Sequence, residues 1–142
     1  MLTFSVQGQP TLEKVISALN DKLDLTLILD EAAALMYARN RARFLQQVDP
    51  DNVAWLPSKA SLIRARRGRG GGTLYNTGKL FNSIQLYRVG EDSRAIGTDV
   101  PYGRFNQIGT IKIQARQFLG FGVEDIKLAH SLVLKRLTEA LI

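Results

Sequence analysis

Nine residues near the middle of the chain, Arg-Ala-Arg-Arg-Gly-Arg-Gly-Gly-Gly at positions 64–72, constrain its fold more than any other stretch. Three adjacent glycines end a helix, and four crowded arginines repel one another, so the run reads as a flexible, exposed Arg/Gly loop. It divides two kinds of text. Before it, apolar residues recur every three or four positions; after it, short segments alternate between apolar and polar. A chain of 142 residues buries about two-thirds of the surface it exposes when unfolded, so residues 1–142 read as a single domain with its own core.

The opening alternates Leu2, Phe4 and Val6 with polar residues and then meets Gly8 and Pro10, which predicts a short strand and a turn. Thr11 is placed to cap a helix whose Leu12, Val15, Ile16, Leu19 and Leu23 share one face. Asp24 is placed to cap a second helix reaching about Val48. In that helix Ile28, Leu35, Ala38, Ala42 and Leu45 form the expected core stripe, with Arg39, Arg41 and Arg43 mostly turned outward. Asp49-Pro50-Asp51-Asn52 stops it, because proline cannot continue a helix. A further short helix is expected to begin at Ser58 and to dissolve into the arginine-glycine run.

Downstream, Thr77 caps a turn in which Leu80 and Ile84 lie four apart. Residues 83–89 and 94–98 alternate and are joined by Gly90-Glu91-Asp92, the composition of a hairpin loop. A turn-rich connector follows, and residues 111–121 are expected to supply a third strand. From about Val123 to Leu141 the text is helical, with Asp125 in the first turn and Ile126, Ala129, Val133, Leu137 and Leu141 on one stripe. These elements predict an α+β fold: a small antiparallel sheet packed against two N-terminal helices and one C-terminal helix. Such a sheet has open edges, which oligomerisation is one way to cover.

The residues offer little for catalysis. There are no cysteines, which removes disulfides, thiolate metal sites and thiol nucleophiles. The one histidine, His130, sits mid-helix between Ala129 and Ser131 and reads as a surface or packing residue. The doublets Asp30-Glu31, Glu91-Asp92 and Glu124-Asp125 are sequence neighbours, which point about 100° apart in a helix and do not share a site. Gly78-Lys79 does not complete a phosphate loop: Thr73 stands where the first glycine belongs, and Leu80 where the magnesium-binding hydroxyl belongs. No catalytic, cofactor or metal residues are assigned.

Net charge is +6, yet it is local. Residues 1–48 carry five acids and five bases, residues 49–80 two and six, and residues 81–142 six and eight. The candidate interaction residues are therefore Arg64, Arg66, Arg67 and Arg69, able to meet phosphates or an acidic protein surface. With no helix-turn-helix, zinc finger or ribonucleoprotein motif and Tyr75 the one nearby ring, sequence-nonspecific DNA binding stands as the alternative function. No apolar run is long enough to span a membrane, so the chain is expected to stay in the cytosol unless something assembles it elsewhere.

From position 44 onward the order of motifs is more informative than any one of them. Trp55 and Pro57, then Leu74, Thr77, Gly78, Leu80, Ser83 and Ile84, then Ile96-Gly97-Thr98 and Tyr102 follow in turn. Gln107 and Gly109 come next, and Ala115-Arg116 with Phe118-Leu119-Gly120 close the phrase. This succession, spanning about 80 of the 142 residues, resembles the phage virion morphogenesis or tail-completion family and is similar to the neck proteins of lambdoid phages. Gly103 departs from that pattern, where alanine is usual, as do Asn106 and Gln117.

The resemblance implies a structural virion protein, with neither enzymatic activity nor cofactor, that joins head to tail or terminates the tail. It implies partners too: copies of itself in a ring of about six, or of about twelve on the head side, and neighbouring connector or tail-tube proteins. DNA contact through the arginine loop is a further expectation. The motif residues Trp55, Pro57, Thr77, Gly78, Leu80, Gly97, Tyr102, Gly109, Arg116 and Phe118 are expected to be mostly structural. Trp55 has two readings, a core anchor or an interface hot spot, of which the core is favoured by neighbouring Leu56 and Pro57.

Overall fold

A computed structural model describes residues 2–5, 25–70 and 72–141. The helix expected over residues 11–23, its Thr11 cap, the Asp24 cap and the turn at Gly8 and Pro10 lie outside the described residues.

Three strands, β1 (Leu2–Ser5), β2 (Gln85–Arg88) and β3 (Ser93–Gly97), form one antiparallel sheet in the order β1-β3-β2. The β2–β3 hairpin is where the alternation placed it, with Leu86 opposite Ile96 and Tyr87 opposite Ala95. β1 pairs with the other side of β3, Leu2 opposite Ile96. Flanked on both sides, β3 buries Arg94, Ala95, Ile96 and Gly97, while β2 is an edge with mostly exposed residues. Arg94 is buried there because its guanidinium has work at the turn: Nε pairs with Asp30 at 2.7 Å and Nη1 donates to the Ser93 carbonyl at 2.8 Å.

The third strand thus comes from the start of the chain. Residues 111–121, expected to form it, are irregular. Their alternating isoleucines are misleading, since Ile111 and Ile113 are both exposed and contribute no core face.

Five helices accompany the sheet among the described residues: α1 (Leu25–Gln46), α2 (Lys59–Arg66), α3 (Lys79–Ser83), α4 (Gly103–Ile108) and α5 (Val123–Leu141). α1 contacts β2, β3 and α5, so it is the bridge between the sheet and the C-terminal helix. It ends at Gln46, earlier than expected, as Gln47 turns left-handed at φ 61°. Asp49 Oδ1 then accepts from Asp51 N–H and Val53 N–H, closing the turn around Pro50.

The buried face of α1 is Ile28, Leu29, Ala32, Ala33, Met36, Asn40, Arg43 and Phe44. Ala38, Ala42 and Leu45, placed on the core stripe from sequence, are exposed, and Arg43 is buried rather than turned outward. Two polar side chains on the inner face explain the slip, because apolar periodicity cannot see them. On α5, Leu137 is buried against Ile28, but Ile126 is half exposed.

The main core joins Met36 and Phe44 of α1 to Trp55, Leu80, Phe81, Ile84, Ile96, Val100, Phe118 and Leu119. Phe44 is its hub, edge-on to Trp55 at 5.5 Å and to Phe118 at 5.9 Å, and tilted against Phe81 at 5.4 Å.

Candidate functional site

Two constructions meet around this core: a scaffold of polar bonds built from the motif residues, and a basic groove beside it.

The scaffold holds irregular backbone in place. Trp55 is 8% exposed, and its indole Nε1 donates to the Gln117 carbonyl at 3.1 Å. Arg116 is buried and donates from Nε to the Leu56 carbonyl at 2.7 Å, tying the closing phrase to the same corner. Gln107 reaches across from α4: its Oε1 accepts from Phe118 N–H and Leu119 N–H, and its Nε2 donates to the Leu119 carbonyl at 2.7 Å. One amide therefore stands in for a strand ladder along that segment. Gly109 ends α4 at φ 76°, and a Cβ there would lie 2.8 Å from Ala115 N. Gly103 abuts Thr98 and Leu80, whose side chains an added Cβ would meet at 3.0 and 3.2 Å, so a larger residue there needs both to give way slightly.

The stretch before β2 is a cap. Gly78 takes the left-handed cap position of α3 at φ 79°, and Thr77 assists by accepting from Lys79 N–H at 3.3 Å. Leu80 and Ile84 are buried, Ser83 and Thr98 share a hydroxyl hydrogen bond, and Gly97 closes β3 in the interior. Tyr102, the residue before α4, stays 42% exposed.

A buried ion cluster links α1 to α5 and was not expected from sequence. Asp125, wholly buried, accepts from Arg39 Nε, from Arg43 Nη1 at both oxygens and from Gly122 N–H. Arg43 Nη2 also donates to the Gly120 carbonyl at 2.8 Å, and Asn40 Oδ1 accepts from Gly120 N–H at 3.0 Å. Burial raises the Asp125 carboxyl pKa, but the bonds from Arg39, the Gly122 amide and Arg43 outweigh it and hold it below the ordinary aspartate value. Neighbouring Pro50 leaves no room for side chains at Gly120 or Gly122: a Cβ on Gly122 would sit 2.1 Å from the Pro50 carbonyl oxygen. The spacing of Arg39, Arg43 and Asn40 on one helical face was the available signal.

The arginine run divides. Ser58 caps α2 through its side chain, as expected, but the helix continues through Arg64, Ala65 and Arg66 instead of dissolving before them. Arg64 Nη2 donates back to the Gly72 carbonyl at 2.7 Å, closing the loop on itself. Arg66, Arg67 and Arg69 are exposed. Arg64 instead faces a groove of ≈ 780 Å³ whose charged lining is Lys59, Arg64, Lys79, Lys112 and Arg116. Pro57, Leu74, Leu80, Tyr102 and Ile113 supply its apolar parts.

The described residues hold no His/Cys/Asp/Glu cluster of metal-binding size, and His130 is exposed. No described helix is long and apolar enough to cross a membrane. The polar side chains that are buried hold backbone and link the helices of an α+β fold. The chain matches the phage virion morphogenesis family over residues 6–138 and belongs to it. That membership carries a structural role in building the virion. No match was found among curated proteins or among solved structures.

Proposed function

We propose that the protein completes the neck or the tail end of a phage particle, as a head–tail joining or tail terminator subunit that works without catalysis in a closed ring of its own copies. Family membership carries this reading. It is supported by two sheet edges, β1 and β2, that no described strand pairs, and by large apolar side chains left exposed on the connector after β3. Rings form when such surfaces meet head to tail and the rotation closes, and about six copies match the symmetry of a tail.

Electron microscopy of lysates from a phage lacking only this gene tests the reading. The expected result is full heads beside unjoined tails, or tails of uncontrolled length; intact, joined particles would overturn it. Replacing Arg64, Arg66, Arg67 and Arg69 together by serine is expected to lower particle joining while the subunit stays folded, and unchanged infectivity would remove those arginines from the mechanism.

The exposed Arg66, Arg67 and Arg69 favour one second reading, a sequence-nonspecific DNA-binding accessory protein. Binding to random duplex that persists at physiological salt would promote it. Binding lost between low and physiological salt is ordinary for any basic protein and would not.

A further inference from the structure

We propose that the basic groove beside α2 and α3 is a docking site for an acidic, extended peptide segment of a different virion protein. Five cations line it and no carboxylate does. None of the five takes part in an ion pair among the described residues. Arg64 and Arg116 are tied to backbone carbonyls, while Lys59, Lys79 and Lys112 are exposed; cations gathered in this way repel one another, so the concentration favours binding of an anion.

One of the lysines stands where it opposes local stability. Lys59 is the first residue of α2, which carries no acid in its first turn. That position favours carboxylates, because the helix end is itself positive. Lys59, Lys79 and Lys112 are exposed, and the scaffold fixes the backbone around them through Arg116 and the turn at Gly78.

The shape selects the occupant. A DNA duplex is a stiff convex rod that meets protein through many phosphates, and it does not enter a groove with apolar parts at Leu74, Leu80 and Ile113. A single strand needs aromatic platforms for its bases, and Tyr102 is the one ring in the lining. A peptide that alternates carboxylates with apolar side chains satisfies both the cations and the apolar parts. A second copy of this chain suits the groove less well. Its unpaired acidic doublet, Glu91-Asp92 at the β2–β3 turn, is accompanied by exposed Arg88, whose Nε donates to the Gly90 carbonyl at 3.2 Å.

The test is fluorescence anisotropy of a labelled peptide of Glu-Asp-Leu repeats against the full chain at near-physiological salt. Two variants lose the same charge: Lys59→Ser with Lys79→Ser and Lys112→Ser in the groove, and Arg66→Ser with Arg67→Ser and Arg69→Ser outside it. All six positions are exposed, and unchanged thermal melting confirms that both variants fold. The groove variant is expected to weaken binding by about tenfold or more and the arginine variant by less than about twofold. Equal losses would reduce the effect to net charge and overturn the proposal. Random duplex DNA that displaces the peptide in a groove-dependent way would reassign the site to nucleic acid. Peptide that dissociates a preformed oligomer of the chain would reassign it to a second copy. None of these results bears on whether the protein completes the neck or tail, which the gene deletion decides.

Discussion

Asp125 concentrates more of the fold in one side chain than any other described residue, since it receives two guanidinium groups of α1 and the Gly122 amide at the start of α5. Replacing it by asparagine keeps the shape and strands Arg43, which is 5% exposed, without a counter-charge. Breaking a buried pair in this way costs about 3–5 kcal/mol, so Asp125→Asn is expected to lower the urea midpoint sharply. The same residue predicts an acid limb. Its folded pKa lies below its unfolded value near 3.9, so its stabilisation is complete above that value and fades as pH falls through the lower, folded one. The component of acid destabilisation in this window is expected in the wild-type protein and absent from Asp125→Asn, as urea titrations across that range would read. The ion cluster left only the helical spacing of its α1 residues as a signal in sequence, for a physical reason. Arg39 and Arg43 look like solvent-facing residues until a carboxylate more than 80 positions away is folded against them, and Asn40 until it meets the Gly120 amide.

At the scale of elements, legibility followed locality. The β2–β3 hairpin and α5 were readable because alternation and helical spacing are short-range patterns, whereas the cap before α3 was placed on Thr77 and falls on Gly78, whose positive φ it needs. Residues 111–121 misled because Ile111 and Ile113 mimic a strand, while the backbone beyond them is held by a side chain from another element. Gln107 of α4 meets two amides and a carbonyl of Phe118 and Leu119, so Gln107→Leu leaves three backbone groups to find new partners. Each unmet group costs about 1–3 kcal/mol, and the variant is expected to lose roughly 2 kcal/mol or more in chemical denaturation. Gln107→Glu keeps the acceptor and loses the donor, and an intermediate loss is its expected signature. If the two variants were indistinguishable from wild type, the closing phrase would be held by the Phe118 side chain in the core instead. The basic groove was only partly legible: Arg64 was named, but Lys59, Lys79 and Lys112 are brought beside it by folding, and no sequence window contains them all.

For the whole molecule, what the fold leaves uncovered matters as much as what it buries. Phe105, Ile108 and Ile111 stand 49%, 62% and 106% exposed on one connector between β3 and α5. Its tip is ordered, with Thr110 N–H donating to the Ile113 carbonyl at 2.7 Å and Ile113 N–H to Thr110 Oγ1 at 3.0 Å. Large apolar side chains left exposed together on one ordered connector contribute little to a lone subunit, and such a connector suits contact with another protein. In the proposed ring, this tip enters the neighbouring subunit or the adjoining layer. Replacing Ile111 by serine removes no buried contact, so the monomer is expected to keep its stability within about 0.5 kcal/mol. Assembly should suffer instead, because an apolar anchor at the centre of an interface costs about 2 kcal/mol or more when it is truncated. Native mass spectrometry of the purified chain, paired with a thermal melt, separates the two quantities. An unchanged melt with ring species depleted relative to wild type is the expected pair of results. Undiminished rings would exclude the tip from the contacts between copies, and particle joining by the same variant would then show whether it serves the adjoining layer.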